Sequence, residues 1–135
     1  MSSAGYSGTP LARKLGIKRE SRLLVVAAPP GFEIPDVPAG VTAHTRPGRT
    51  SYDVVVAFCP DRKRLAARFA ALVPRVTTAG ALWVAWPKRA SGVSSDLDEN
   101  VVRDHGLGAG LVDVKVIAID ETWSGLKFVR RLRDR

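Results

Sequence analysis

Several features that mark common protein classes are missing from this sequence. It contains one cysteine, Cys59, so an internal disulfide is excluded, as is a zinc site built on clustered cysteines. No apolar run approaches the ~20 residues that a membrane helix needs. Residues 1–10 are small and polar, without the basic start and apolar stretch of a secretory signal. We therefore expect neither disulfide stabilisation nor a membrane partner.

The motifs of familiar catalytic and metal sites are also missing. The two histidines, His44 and His105, have no Cys partner and no HxxxH spacing, so the sequence predicts no metal site. No P-loop string and no Ser-His-Asp spacing is present. Cys59 closes an apolar run, where a small core residue is expected rather than a nucleophile. Asp120 and Glu121 are adjacent acids, but a solvated turn is their commoner setting. The catalytic residues are therefore unknown, and whether the protein is an enzyme stays open.

Acidic residues are scarce relative to basic ones. Lys and Arg total 21 against 13 Asp and Glu, which gives a net charge of +8. A basic chain attracts polyanions at long range, so an anionic small molecule or nucleic acid is a candidate partner. The alternative is a protein with arginine-rich but solvated surfaces, because no clustered basic helix or aromatic-interleaved nucleic-acid motif is present.

The chain is long enough to bury a hydrophobic core. Of its 135 residues, 45% are hydrophobic, which predicts one globular domain. We expect a flexible lead over residues 1–8 and a single domain over residues 9–135. Continuous apolar runs are typical of strands covered on both faces, and a shorter, weaker strand candidate spans residues 41–45. The continuous runs are residues 22–28, 52–59 and 80–86.

Three helices alternate with these strands. The first is short, over residues 9–16, with Thr9 as N-cap and Gly16 at its left-handed exit. The second carries an amphipathic stripe that begins at Leu65, and Pro74 ends it.

The third helix is predicted to start near Asp96. Its capping box is either Asp96 with Glu99 or Ser95 with Asp98, and the sequence does not decide between them. Strand patterns at residues 111–120 and 123–132 follow, joined closely enough to form an antiparallel hairpin.

Strands that alternate with helices favour an α/β fold. We predict a trimmed Rossmann-like, three-layer sheet that is mostly parallel and ends in a C-terminal antiparallel hairpin. Residues 46–51 are few for the usual parallel crossover, so whether residues 41–46 join the sheet stays open. The strand at 123–132 is expected at an exposed edge, which predicts a monomer or a weak homodimer.

The second half of the chain resembles the end of class I S-adenosylmethionine-dependent methyltransferases. The resemblance lies in Tyr52-Asp53-Val54-Val55-Val56, in Ala79-Gly80-Ala81-Leu82-Trp83-Val84, in Gly110-Leu111 and in the closing hairpin. It implies a methyltransferase-like fold and S-adenosylmethionine as cofactor. The Gly-rich turn of that family is missing, because Pro29-Pro30-Gly31-Phe32 follows the first strand. Thr45-Arg46 stands where the family places an acid for the ribose hydroxyls.

A second resemblance covers nearly the whole chain. The strings are Tyr6-Ser7-Gly8-Thr9-Pro10-Leu11-Ala12, Pro29 to Phe32, Trp86-Pro87-Lys88 and Asp120 to Lys127. Together they resemble a family of small bacterial Rossmann-like proteins that form a domain of unknown function. The resemblance implies a bacterial, cytoplasmic protein, and it implies no activity.

Three loops that begin with proline follow the predicted parallel strands, at residues 29–32, 60–63 and 87–96. In open α/β sheets, ligands bind at this end of the strands. Lys88 and Arg89 supply positive charge, and the third helix presents free amides nearby, which would suit an anion. The alternative is that the serines cap the helix and the two basic side chains are solvated. The predicted ligand-binding residues are Pro30, Gly31, Phe32, Asp61, Trp86, Lys88, Arg89, Ser91, Gly92, Ser94 and Ser95.

The sequence is compatible with three functions. The first is a non-catalytic domain that binds an anionic small molecule or partner at the carboxyl ends of its parallel strands. The second is a methyltransferase-like enzyme that uses S-adenosylmethionine. The third is a nucleic-acid-binding module, motivated by the excess of arginine and lysine.

Overall fold

The structure is a computed structural model that describes residues 8–135, so the predicted lead lies outside the described residues except for Gly8. The strands are β1 (Arg22–Val26), β2 (Thr42–His44), β3 (Tyr52–Phe58), β4 (Val76–Pro87), β5 (Leu111–Ala118) and β6 (Trp123–Arg130). The helices are α1 (Leu11–Lys14), α2 (Arg62–Leu72) and α3 (Glu99–Gly108), with short 3-10 turns at Val73–Arg75, Arg89–Ser91 and Leu132–Asp134. Within this part of the chain, no helix combines the length and apolarity needed to cross a membrane.

One six-stranded sheet, in the order β2-β1-β3-β4-β6-β5, organises the molecule. The first four strands of that order are parallel, and β6 runs antiparallel to both β4 and β5. The predicted fold class is confirmed: a mostly parallel α/β sheet with a C-terminal antiparallel hairpin.

Helices and loops cover the sheet on both faces. On one face, α2 and α3 bury Leu65, Phe69 and Val102 against side chains that include Trp86. On the other face, α1 and the segment after it pack on a cluster that includes Trp83. The two tryptophans therefore point to opposite faces, as their odd spacing in one strand predicts.

The weak strand at the sheet edge does join the sheet. Thr42 pairs with Arg22 and His44 with Leu24, in parallel register. The chain then crosses β1 over residues 45–51 to reach β3, which also pairs with β1. Because β2 has only three residues, the chain has to return just three strand positions, about 10 Å, before β3 starts. The shortness of β2 thus makes the short crossover feasible.

Two predicted helix starts are wrong. Helix α1 follows Pro10 rather than Thr9, although Gly16 does take the expected left-handed conformation, with φ +81°. Helix α3 starts at Glu99, where the carboxylate of Asp98 accepts a hydrogen bond from the Val101 amide at 2.9 Å. Neither predicted capping box forms.

The predicted edge strand is also wrong. Strand β6 lies between β4 and β5, so β5 is the edge of the sheet on that side. The second strand of the hairpin pairs inward because Leu126 and Phe128 are fully buried against the α2–α3 layer. Strand β6 ends at Arg130, and Leu132 beyond it is 80% exposed. Whether the protein is a monomer or a weak homodimer stays a prediction.

Candidate functional site

The carboxyl ends of the parallel strands meet at one edge of the sheet. From β1 the chain leaves toward β2 on one side, whereas β3 pairs on the other side of β1. This reversal is a topological switch point, and ligands in open α/β sheets bind in the crevice outside it. The end of β5 and the turn before β6 reach the same edge, since β5 runs antiparallel to β6 and β6 antiparallel to β4.

A cavity of about 460 Å³ opens at this edge, on the face covered by α1. Its volume lies within the range of roughly 300–1,000 Å³ that is typical of small-molecule sites. Gly31 and Phe32, both predicted ligand-binding residues, belong to its wall. The full lining is Gly8, Thr9, Pro10, Leu11, Lys14, Gly31, Phe32, Glu33, Pro35, Asp36, Ala118, Ile119 and Asp120.

Aromatic rings connect this cavity wall to the ends of the strands. Phe32 is half-buried and packs edge-on against Phe58, with ring centroids 4.9 Å apart. Phe58 in turn packs edge-on against Trp123, at 5.0 Å. The loop after β1, the end of β3 and the start of β6 therefore share one aromatic cluster. Edge-to-face aromatic pairs stabilise a structure by more than the burial of their apolar area alone. These contacts therefore hold Phe32 in place in the cavity wall.

The opposite wall is fixed through α1. The indole N–H of Trp83 donates a buried hydrogen bond of 3.0 Å to the carbonyl of Leu15, just after the helix. Ala12, Leu15 and Ile17 are themselves buried on the sheet. A helix of four residues is not stable alone, so these contacts are what hold α1 over the cavity.

Three carboxylates, from Glu33, Asp36 and Asp120, give the cavity its electrostatic character. One Asp120 oxygen accepts hydrogen bonds from the amides of Thr122 and Trp123, each at 2.8 Å, which shapes the hairpin turn. Lys14 is the basic residue of the wall. With three acids against one base, the cavity favours ligands that carry hydroxyls or positive charge, on a chain whose net charge is +8.

Sequence reasoning named neither Glu33 nor Asp36. The sequence does distinguish these two acids. Only five acids occur in residues 1–89, and two of them, Glu33 and Asp36, lie close together after β1. Scarce carboxylates placed after a strand of a doubly wound sheet are candidate ligand groups.

The remaining predicted site residues lie mainly in two loops that bond to each other beside α2 and α3. The Ser95 hydroxyl donates to the carbonyl of Pro60 at 2.8 Å and accepts from the Leu97 amide at 3.1 Å. The Asp96 carboxylate accepts from the Arg62 amide at 2.8 Å, at the start of α2. These bonds tie the loop after β4 to the loop after β3.

The hydroxyl of Ser91 likewise serves its own loop. It donates to the carbonyl of Lys88 at 2.6 Å and accepts from the Val93 amide at 3.1 Å. Gly92 closes the 3-10 turn with φ +80°. The Arg89 guanidinium is largely exposed, 4.0 Å from the Asp98 carboxylate. The alternative interpretation of this loop was that its serines cap the helix, but Asp98 is the cap of α3, and the Ser91 and Ser95 hydroxyls bond within and between loops instead.

Asp61 caps α2. One carboxylate oxygen accepts from the Arg64 amide at 2.8 Å, and the other pairs with the Arg64 guanidinium at 2.5 Å. The amide hydrogen bond, with the guanidinium, lowers the pKa of Asp61. This carboxylate is therefore committed to the helix start and to Arg64.

Trp86, Pro30 and Ser94 lie apart from the cavity wall. Trp86 is 4% exposed and belongs to the core on the α2–α3 face. Pro30 and Ser94 are exposed and do not line the cavity. The structure therefore divides the predicted site: Gly31 and Phe32 line the cavity, and the rest of the set does not.

Cys59 is fully buried at the end of β3, in the core position that its apolar neighbours predict. Burial raises the pKa of its thiol to about 11, an effect that the nearby Arg68 guanidinium only partly offsets. A thiol of this kind is a poor nucleophile. Across residues 8–135, no group of three or more His, Cys, Asp or Glu side chains is arranged to hold a metal ion.

No protein-family model and no curated protein sequence matches this chain. Solved structures do match its fold. The DhpI–SAH complex superposes with a TM-score of 0.63 at 10% identity, over 92% of this chain and 83% of that one. Methanococcus jannaschii fibrillarin, a pre-rRNA processing protein, gives 0.55 at 14% identity, over 84% and 68%. A candidate methyltransferase from Thermoplasma acidophilum gives 0.50 at 8% identity, over 86% and 70%. The chain therefore has a methyltransferase-like Rossmann fold. Its resemblance to a small bacterial family stays a prediction.

Proposed function

We propose that this chain binds an S-adenosyl compound in the cavity between α1 and the 31–36 loop. The observation that carries the proposal is the position of an acid-lined, partly aromatic cavity at the switch point of a methyltransferase-like sheet. The fold neighbours support it, since one of them is a complex with SAH. This is the methyltransferase-like alternative among the functions predicted from the sequence.

The residues of the cavity fit such a compound in their chemistry. Phe32 offers an aromatic ring for adenine, and the carboxylates of Glu33, Asp36 and Asp120 are acceptors for ribose hydroxyls or an ammonium group. Lys14 is a partner for a carboxylate. When bound, S-adenosylmethionine supplies a methyl group on a positively charged sulfonium. The acidic wall favours that charge over the neutral thioether of S-adenosylhomocysteine.

These groups come from unusual places in the chain. The turn after β1 has one glycine, and no helix follows it before β2. Thr45 and Arg46 follow β2, at the position where class I methyltransferases place an acid for the ribose hydroxyls. In the proposed site, Glu33 and Asp36 of the 31–36 loop and Asp120 of the hairpin turn take over the role of that carboxylate.

Titration calorimetry with S-adenosylmethionine and S-adenosylhomocysteine tests the proposal. The cavity variant is Glu33→Gln with Asp36→Asn. The control is Asp104→Asn with Glu121→Gln, which removes two exposed acids that do not line this cavity. We expect the cavity variant to lose about tenfold in affinity for S-adenosylmethionine, or ~1.4 kcal/mol, and the control to keep it. Absence of heat with both compounds, or equal losses in both variants, would refute the proposal.

The anion site predicted at Lys88 and Arg89 is a separate hypothesis. Inorganic phosphate in the same titrations, with Lys88→Ala combined with Arg89→Ala, tests it. An unchanged affinity for phosphate in that variant would show that these two side chains form no anion site.

A further inference from the structure

Three lysines come together on the α1 face of the sheet, away from the carboxyl edge. We call Lys18, Lys115 and Lys127 the lysine cluster. They come from the segment after α1, from β5 and from β6. None of the three side chains makes a hydrogen bond or an ion pair with any residue in the part of the chain that the structure describes.

The sheet register places Lys127 on this face. Lys127 pairs with Trp83 across the β4–β6 ladder, and Trp83 belongs to the core cluster that α1 covers. The Trp83 indole also binds the carbonyl of Leu15. The chain that leads to Lys18 is thus anchored directly over the residue that pairs with Lys127.

A β-bulge brings the third lysine to the same place. Asp113 pairs with Phe128 and Val116 with Leu126, so two residues of β5, Val114 and Lys115, stand opposite the single residue Lys127. Bulges of this kind re-aim side chains at sheet edges. Lys18 and Lys115 are exposed, whereas Lys127 is half-buried.

The electrostatics of the cluster agree with this geometry. Partial burial lowers the pKa of Lys127, and the charges of Lys115 and then Lys18 lower it further. Like charges that meet without a counter-charge are unfavourable for the folded chain. An anion that bridges them would relieve this repulsion.

We infer that the lysine cluster binds the backbone phosphates of a nucleic acid. A nucleic acid is favoured over a free anion because the basic surface extends beyond the cluster: Arg13 and Arg19 are exposed on the same stretch as Lys18. The net charge of +8 adds long-range attraction to a polyanion. The inference is independent of the S-adenosyl proposal, because none of the three lysines lines the carboxyl-edge cavity.

The test uses fluorescence anisotropy of a short labelled DNA, as a single strand and as a duplex, over a series of salt concentrations. The cluster variant changes Lys18, Lys115 and Lys127 to Gln. The control changes Arg49→Gln, Lys63→Gln and Arg133→Gln, three exposed side chains outside the cluster that make no hydrogen bond or ion pair among the described residues. Both variants lower the net charge from +8 to +5, because each replaces three basic side chains with neutral ones.

We expect the cluster variant to bind DNA more weakly and to reduce the slope of log K against log salt by about 3 for the duplex, since each lost phosphate contact removes about 1. The control should keep most of the slope. Thermal unfolding should show the cluster variant at least as stable as the wild type, because repulsion is removed.

Three outcomes would overturn the inference. The first is no measurable DNA binding at low salt. The second is an equal loss in both variants, which would mean that net charge alone drives binding. The third is displacement of the bound DNA by inorganic phosphate when chloride at equal ionic strength does not displace it, which would identify a small-anion site instead.

Discussion

Gly106 of α3 lies directly against the aromatic ring of Phe128 in β6, so that a Cβ atom on this glycine would overlap the ring. Phe128 is fully buried and also packs edge-on against Phe69 of α2, with ring centroids 5.5 Å apart. The close approach of helix and strand therefore depends on a residue without a side chain. It fixes how α3 and α2 share the core on their face of the sheet.

Gly106→Ala should destabilise the protein even though alanine is the better helix former. The gain in helix propensity is at most ~1 kcal/mol, whereas overpacking a well-filled core costs about 1–3 kcal/mol. Phe128 is fully buried between α2 and α3, so a Cβ at position 106 forces the ring to move within the core. Gly108→Ala is the control, since a Cβ there meets no atom within 4 Å. Urea unfolding should give a lower midpoint for Gly106→Ala and an unchanged or higher one for Gly108→Ala. Equal midpoints would contradict the packing.

Tyr52→Phe should loosen the crossover between β2 and β3. The buried Tyr52 hydroxyl accepts a hydrogen bond from the Gly48 amide at 2.7 Å and shares a second hydrogen bond with Nδ1 of His44 at 2.5 Å. Loss of the hydroxyl removes both hydrogen bonds, at a cost of about 0.5–1.5 kcal/mol each, since His44 and Gly48 are half-buried and water can reach them. The free energy of unfolding from urea titration measures it. In a double-mutant cycle with His44→Ala, the two effects should not add; full additivity would show that the two side chains are not coupled.

Much of this fold follows from local patterns in the sequence. The apolar runs before Pro29 and Pro60 predict β1 and β3, because a strand covered on both faces needs continuous apolarity. Gly16 predicts the end of α1 through its left-handed conformation. These signals lie within a few residues of the structure that they specify.

The parts that could not be predicted depend on contacts distant in sequence. The start of α3 is one such part, because four neighbouring residues suit an N-cap or a capping box: Ser95, Asp96, Asp98 and Glu99. Asp96 cannot cap α3 because its carboxylate binds the Arg62 amide of α2. Strand β2 is mostly exposed and has no apolar pattern of its own. The acidic cavity wall joins the 31–36 loop to Asp120, and only the sheet order brings them together.

Cys59 should resist alkylation in the folded protein. With its thiol pKa raised to about 11 by burial, its thiolate fraction at pH 8 is roughly a hundredfold below that of an ordinary cysteine. Iodoacetamide should therefore modify the native chain slowly and the urea-unfolded chain at a normal rate. Because the folded state keeps its proton up to the raised pKa, this group's contribution to stability is lost as the pH rises from about 9 toward 11. Equal rates for native and unfolded chains would contradict the buried position.

Lys127→Met should stabilise the protein near neutral pH. In the wild type, partial burial and then the charges of Lys115 and Lys18 lower the pKa of Lys127 below its usual 10.5. The charged form is therefore penalised in the folded state at neutral pH. That penalty is relieved as the pH rises through the lowered pKa toward 10.5, because the folded chain releases its proton before the unfolded chain does.

The stability gap between Lys127→Met and the wild type should accordingly be largest near pH 7 and shrink toward pH 10.5. Lys63→Met, on the exposed side of α2, is the control, since it removes a lysine that lies outside the lysine cluster. Urea midpoints measured across this pH range supply the comparison, and a variant that is less stable than the wild type at pH 7 would contradict the crowding of charge around Lys127.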